Sequence, residues 1–219
     1  IFYGEGWDMD STNKEPGTEM AKQGNASKTP GFAYFSDNMR NLLAGDNGKS
    51  TGFVSGAGNG GSMVSEWMAN PWWTNNPNQV VQYASCHDNH TLADKLIIST
   101  GKNKLDSTII KMNNLSAAIY MTSQGIPFIH AGEEILREKL DTNGNRVENS
   151  YNSSDKVNHI AWYNLDNSIY YIVKDLPEDT RKAGRAAVKS FGVKSRFVHF
   201  EFFRLLEDHE GLGKKGDIM

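Results

Sequence analysis

Four short apolar runs, each closed by a cluster of polar residues, constrain this chain more than any other feature. They are Ile1–Tyr3, Phe32–Phe35, Val80–Ala84 and the run Gly125–His130. Each reads as a short strand, the first like the end of a buried one. Between them lie helical signals. Ser36 and Asp37 can cap a short helix running through Asn41 to Ala44. Apolar residues at Ile109, Ile110, Met112, Leu115, Ala118, Ile119 and Met121 form a helical stripe over Ser107–Thr122. The stretch Gly45–Gly61, rich in Gly, Asn and Ser, reads as loop. Strand, helix and strand in alternation predict an α/β fold with a parallel sheet.

The polar residues that could do chemistry stand just past the strand ends: Glu5, His87, Asp88, Asn89, Glu133 and Glu134. In a (β/α)8 barrel that edge is the active-site face. The first group lies in Tyr3-Gly4-Glu5-Gly6-Trp7, one carboxyl between two glycines and beside an indole. A carboxyl against an apolar ring is expected to be partly desolvated, which raises its pKa toward the range of a general acid. An exposed surface turn is the plainer reading of that pentapeptide alone.

Composition narrows the function classes. The net charge of −3 implies no nucleic-acid partner. No apolar run approaches the ~18 residues of a membrane span. Cys86 is the single cysteine, so no intrachain disulfide can form. The sequence opens at Ile1 in what reads as the end of a strand. The N-terminus is therefore expected to be missing, and cytoplasmic and extracellular locations both stay open. All 21 asparagines and all five tryptophans fall within residues 1–167, and none within 168–219. Two segments, 1–167 and 168–219, are expected on that ground.

Three motifs stand out: Tyr3-Gly4-Glu5-Gly6-Trp7-Asp8-Met9, Tyr83-Ala84-Ser85-Cys86-His87-Asp88-Asn89-His90-Thr91-Leu92, and Gly125-Ile126-Pro127-Phe128-Ile129-His130-Ala131-Gly132-Glu133-Glu134. Together they resemble type I pullulanases, the α-1,6-glucan debranching members of the α-amylase superfamily. They occur in the family's order and spacing and cover about residues 1–165. The resemblance implies a partial (β/α)8 TIM barrel, strands five to eight, and an α-glucan partner such as pullulan, glycogen or starch dextrins. It implies Glu5 as general acid/base and Asp88 as transition-state stabiliser. His87 and Asn89 become substrate-binding neighbours, and Trp7 a stacking surface for a glucose ring. A retaining glycosidase also needs a nucleophilic carboxylate about 5–5.5 Å from the acid. In the family this is an Asp in an Arg-x-Asp strand ahead of Tyr3, and no residue of this chain replaces it. The 219-residue chain is therefore expected to be inert alone.

Other residues carry two readings each. Asn158 matches a family segment near the substrate cleft, or belongs to a plain polar loop. Glu133 and Glu134 resemble a catalytic pair, yet the family places them in a structural or rim role. Trp72-Trp73 is a sugar platform or, more in keeping with paired tryptophans, packing. Asp141-Thr142-Asn143-Gly144-Asn145 hints at a calcium loop but lacks the full acidic spacing. His130 ends an apolar strand and reads as a core histidine. The glycosidase chemistry itself requires no cofactor.

Residues 168–219 do not continue a pullulanase. Pro177 suits the first turn of a helix over Arg181–Phe191, with Gly192 as its cap, and Arg196–Leu206 alternates as a strand. This small α+β tail resembles part of an ATP-grasp domain, which implies Mg-ATP and a magnesium-binding Glu201. Both sites are incomplete in this chain, and a fused or misassembled reading frame is the preferred account. The alternatives to a debranching glycosidase are an ATP-grasp ligase-like fragment and a non-catalytic α-glucan-binding remnant.

Overall fold

The computed structural model describes residues 2–8, 15–46, 48–104 and 106–160. Residues Ile1–Ile160 form one compact unit. The tail readings, Glu201 included, lie outside the described residues.

Four short strands pair side by side in chain order: β1 (Phe2–Gly4), β2 (Phe32–Phe35), β3 (Val80–Gln82) and β4 (Ile126–Pro127). Every pairing is parallel. Tyr3 lies opposite Ala33, Phe35 opposite Val81, and Gln82 opposite Pro127. The expected strands Val80–Ala84 and Gly125–His130 are shorter than their apolar runs. Pro127 has no N–H to donate, so regular pairing ends there. The Phe128 amide still reaches the Gln82 carbonyl at 2.9 Å.

Side-chain alternation gives the sheet two distinct faces. On one, a row of rings draws one member from each strand or the residues just after it. Tyr3 meets Phe35 at 5.9 Å, Phe35 meets Tyr83 and Phe128 at 5.0 Å each, and Tyr83 meets Phe128 at 6.5 Å, all edge-on. Edge-on contacts set positive ring edges against negative faces, adding to burial itself.

Helices join the strands. α1 (Asp37–Ala44) starts where expected, because the Ser36 hydroxyl accepts from the Met39 amide. It ends at Gly45, whose φ of 92° and contact with the Ser50 carbonyl leave no room for a Cβ. α2 (Gly60–Trp67) and α3 (Leu92–Thr100) were not expected. The Gly45–Gly61 stretch therefore is not all loop: it holds a 3₁₀ turn at Phe53–Ser55 and the first turn of α2. α4 spans Ser107–Thr122, the full predicted stripe, and Asp106 caps it by accepting from the Thr108 amide. Buried Met39, Leu43, Leu92, Leu96 and Ile109 bring α1, α3 and α4 into the core.

Polar groups hold the entry to β2. Buried Gln79 donates through Nε2 to the carbonyls of Ala26 (2.8 Å), Thr29 (3.0 Å) and Phe32 (3.2 Å). One side chain thus satisfies the end of a 3₁₀ turn and the first residue of a strand. Gln79→Ala removes that donor; the Ala26 and Thr29 carbonyls keep the Thr29 and Phe32 amides, and each lost hydrogen bond costs about 0.5–1.5 kcal/mol net. Its urea midpoint should fall by the equivalent of roughly 2 kcal/mol. Thr74→Ala, which removes the 3.0 Å hydroxyl bond to Gln79 Oε1 and the 3.1 Å bond that the same hydroxyl accepts from the Asn76 amide, should cost less, about 1 kcal/mol.

Candidate active site

Since all four strands run in one direction, their C-terminal ends share one edge. Glu5 follows β1 there, and His87 and Asp88 follow β3. The His87 Nε2 lies 3.5 Å from Glu5 Oε1 and 3.6 Å from Asp88 Oδ1. One imidazole thus stands between two carboxylates that are 83 residues apart in the chain. The side chains are 58%, 44% and 46% exposed, so the cluster is open to water. The desolvation expected for Glu5 is not supplied by its neighbour, because Trp7 is itself 51% exposed.

The backbone explains how these groups are aimed. Gly6 takes φ 82° and is buried against Gln23 and Tyr34, where a Cβ would approach to 2.9 Å. Its carbonyl accepts from the Gln23 amide at 2.9 Å. Only glycine fits there, and that tight turn sets Glu5 and Trp7 on the edge. Asp8 pairs with Lys22 at 2.6 Å. After β3, Asn89 takes φ 60° and donates its amide to Asn149 Oδ1 at 3.0 Å. The His87 carbonyl accepts from Lys139 Nζ at 3.4 Å. Lys139 is buried, and burial lowers its pKa.

A second tier lies beneath. Glu133 is 5% exposed and accepts from Tyr120 Oη at 2.7 Å and Ser85 Oγ at 2.9 Å. It clamps α4 to the end of β3 and faces neither Glu5 nor Asp88. Burial pushes its pKa up to about 7 despite those two donors. Glu134 accepts from the Gly132 amide at 2.9 Å. Both carboxylates are thus bonded within the fold. His130 lies 3.3 Å from Ser85 Oγ and 3.3 Å from Arg137 Nη1. Burial, with Arg137, Lys139 and His87 nearby, drops its pKa to about 4, so the ring is neutral near pH 7. Asp94, fully buried, accepts from Thr91 Oγ1 and the Lys139 amide and pairs with Arg146 at 2.9 Å. Its pKa rises to about 6 through burial.

Other expected site residues lie apart from the cluster. The Asn158 amide is spent within its own loop. It donates to the Ser150 carbonyl at 2.6 Å and accepts from Ser150 Oγ at 2.8 Å. Asn158 sits in a four-residue helical turn, α5 (Asp155–Asn158), and its carbonyl accepts from Arg137. Asp141 does not fit a calcium ligand. Its oxygens take N–H bonds from Asn143 and from both backbone and side chain of Asn145, which aims donors at the space a cation would fill. Those bonds, from Asn145 foremost, lower its pKa. Among the described residues no set of three or more His, Cys, Asp or Glu is placed to hold a metal ion. Cys86 is buried, and burial raises its thiol pKa. Lys139, Arg137 and Tyr120 carry no sequence signal that marks them as supports. Asp94 alone had a visible signal, the Thr91-x-x-Asp94 cap of α3.

No protein-family model matches the chain. A pullulanase of Bacillus subtilis (strain 168) is 36% identical over 171 residues, which is 74% of this chain and 23% of that relative. The chain thus spans less than a quarter of that relative's length. A crystal structure of pullulanase from Anoxybacillus sp. LM18-11 complexed with maltotetraose matches with a TM-score of 0.68 and 34% identity, over 78% of this chain and 24% of that one. Pullulanase from Paenibacillus barengoltzii, complexed with maltohexaose and α-cyclodextrin, matches at 0.66 and 36%, over 78% and 27%. The chain is homologous to pullulanases, a family of glycoside hydrolases, over the part it shares with them.

The buried carboxyls give the fold a pH dependence of defined sign. A carboxyl whose folded pKa lies above its unfolded value holds its proton more tightly in the folded chain. For Glu133 that stabilisation is complete below about 4.5 and is lost as pH rises through about 7. The urea midpoint should therefore fall between pH 5 and pH 8, by the equivalent of about 2–3 kcal/mol from this group. Glu133→Gln, an isostere that does not titrate, should flatten much of that slope.

Proposed function

We propose that residues 2–160 carry the acid/base and charge-stabilising part of a pullulanase-like site that cleaves α-1,6-glucosidic linkages with retention. The observation behind this reading is the His87 imidazole set between the Glu5 and Asp88 carboxylates. Strands in sequential parallel order support strands five to eight of a (β/α)8 barrel, because doubly wound sheets reverse their strand order and barrels do not. The structural relatives that hold maltotetraose, maltohexaose and α-cyclodextrin support an α-glucan ligand.

In this reading Glu5 donates its proton to the glycosidic oxygen as the bond from that oxygen to the anomeric carbon breaks. The leaving sugar departs as an alcohol carrying that proton. Asp88 accepts hydrogen bonds from ring hydroxyls while positive charge builds at the anomeric carbon. A nucleophilic carboxylate then bonds to that carbon. Glu5, now ionised, takes a proton from water, and the resulting hydroxide displaces the enzyme carboxylate. His87 and Asn89 position the sugar, and Trp7 stacks on its apolar face. Asn158 would act on the rim, through the loop it closes. We take the nucleophile to belong to an Arg-x-Asp strand ahead of Tyr3, as the resemblance implies, so the 219-residue chain is proposed to bind glucan without turning it over.

Maltotriose titrated into the chain should move the Trp7 indole N–H signal in NMR. His87→Ala should weaken that response about tenfold, equivalent to ~1.4 kcal/mol. Pullulan incubated with the chain should release no maltotriose. A Trp7 signal that ignores maltotriose would sink the glucan reading, and maltotriose release would overturn the proposed inertness.

A further inference from the structure

A second opening shares no residue with the Glu5–His87–Asp88 edge. It is an open depression between α1, α2 and the segment just after α2, with a volume of about 600 Å³. That volume is within the range of small-molecule sites, about 300–1,000 Å³. Its lining includes Trp72, Asn38, Asn41, Ser65, Glu66 and Asn70, and no lysine or arginine.

Trp72 is 75% exposed, the highest value among the large apolar side chains described. Its neighbour Trp73 packs edge-on against Tyr34 at 6.0 Å. The tryptophan pair therefore divides its work: one ring packs, and the other is exposed and lines the opening. Part of the rest of the lining is fixed in place. Glu66 is 5% exposed, and its carboxylate is fixed by Ser36 Oγ at 2.9 Å and Asn38 Nδ2 at 3.2 Å. Each carboxylate oxygen keeps a further lone pair for an incoming hydroxyl. Asn41 accepts from Arg40 Nε at 2.9 Å through its oxygen, which leaves its NH₂ group as a donor. Asn70 adds an amide, tied through its backbone to Ser65.

A flat indole, amide donors and a fixed carboxylate acceptor without a cation describe a particular ligand class. It must offer an apolar face and a rim of hydroxyls, and it must carry no negative charge, which the Glu66 carboxylate would repel. A pyranose ring has those properties. We infer that this cleft is a second saccharide site, which holds a neutral oligosaccharide away from the catalytic edge. The identity of that saccharide as an α-glucan rests on the pullulanase-like reading; the class of ligand rests on the cleft. A site of this kind would tether a long glucan and raise its local concentration at the edge.

The test uses the unaltered 219-residue chain. Its tryptophan indole N–H signals are assigned from Trp7→Phe and Trp72→Phe, and maltotriose is titrated with cellotriose as the β-linked comparison. The Trp72 signal should move with maltotriose, with a dissociation constant of its own. Asn70→Ala, which removes a lining amide and leaves the Trp72 ring in place as the reporter, should weaken the Trp72 response about tenfold while the Trp7 response stays unchanged. If the Trp7 signal moves and the Trp72 signal does not, the cleft inference is overturned and the catalytic reading stands. If only Trp72 moves, the cleft stands and the catalytic reading falls. An equal Trp72 response to cellotriose keeps a saccharide site but removes its α-glucan assignment. Silence at both rings overturns both.

Discussion

In a parallel sheet every strand finishes on the same side, and that constraint produces the candidate site. Glu5 and His87 come from β1 and β3, with β2 lying between these two strands in the sheet. Nothing local in the sequence could bring them within 3.5 Å. The pairing register does, once Tyr3 is level with Ala33 and Phe35 with Val81. The row of edge-on rings under the edge holds this register from within. A slip of one residue would turn Phe35 and Tyr3 to the opposite face and break the row.

The sheet is steadied by groups that are individually unfavourable to bury. Glu133, Asp94 and Lys139 are each nearly free of solvent. Burial shifts all three toward their neutral forms. Their value is positional. Glu133 joins α4 to Ser85, and Ser85 precedes His87 by two residues. Asp94 fixes the Lys139 amide, and Lys139 in turn holds the His87 carbonyl. Removing one partner of such a set leaves another buried and unsatisfied, so the set acts as a unit around the histidine.

Much of the edge was legible because its residues sit in short motifs with mechanical reasons behind them. Gly6 must be glycine for its φ and its contact with Tyr34, and Glu5 and Trp7 flank it in consequence. α4 was legible over its full length because its apolar stripe is long. α2 was hidden by its opening Gly60-Gly61-Ser62, residues poor at forming helix; tertiary packing of Met63 and Glu66 overrides that preference. α3 was hidden for another reason. Its cap, Thr91, lies inside the motif that drew attention to His87 and Asp88. The supports from Lys139 and Arg137 left no trace, because a buried lysine and a surface lysine look alike in sequence. The opposite fates of Trp72 and Trp73 could not be told from adjacency alone.

In the role proposed for it, Glu5 would work best where water is scarce, and the described residues leave it 44% exposed. Two sources of dryness remain. A glucose ring stacked on Trp7 would cover the indole and, with it, one side of the neighbouring carboxyl. The histidine between the two carboxylates would then be enclosed by ligand on its open face. The acid's surroundings would thus be completed by the substrate, and every electrostatic contact in the cluster would strengthen on binding as water leaves. An open, strongly screened cluster before binding and a dry one afterwards is the arrangement in which the binding of a sugar, rather than the fold alone, would prepare the proton for transfer.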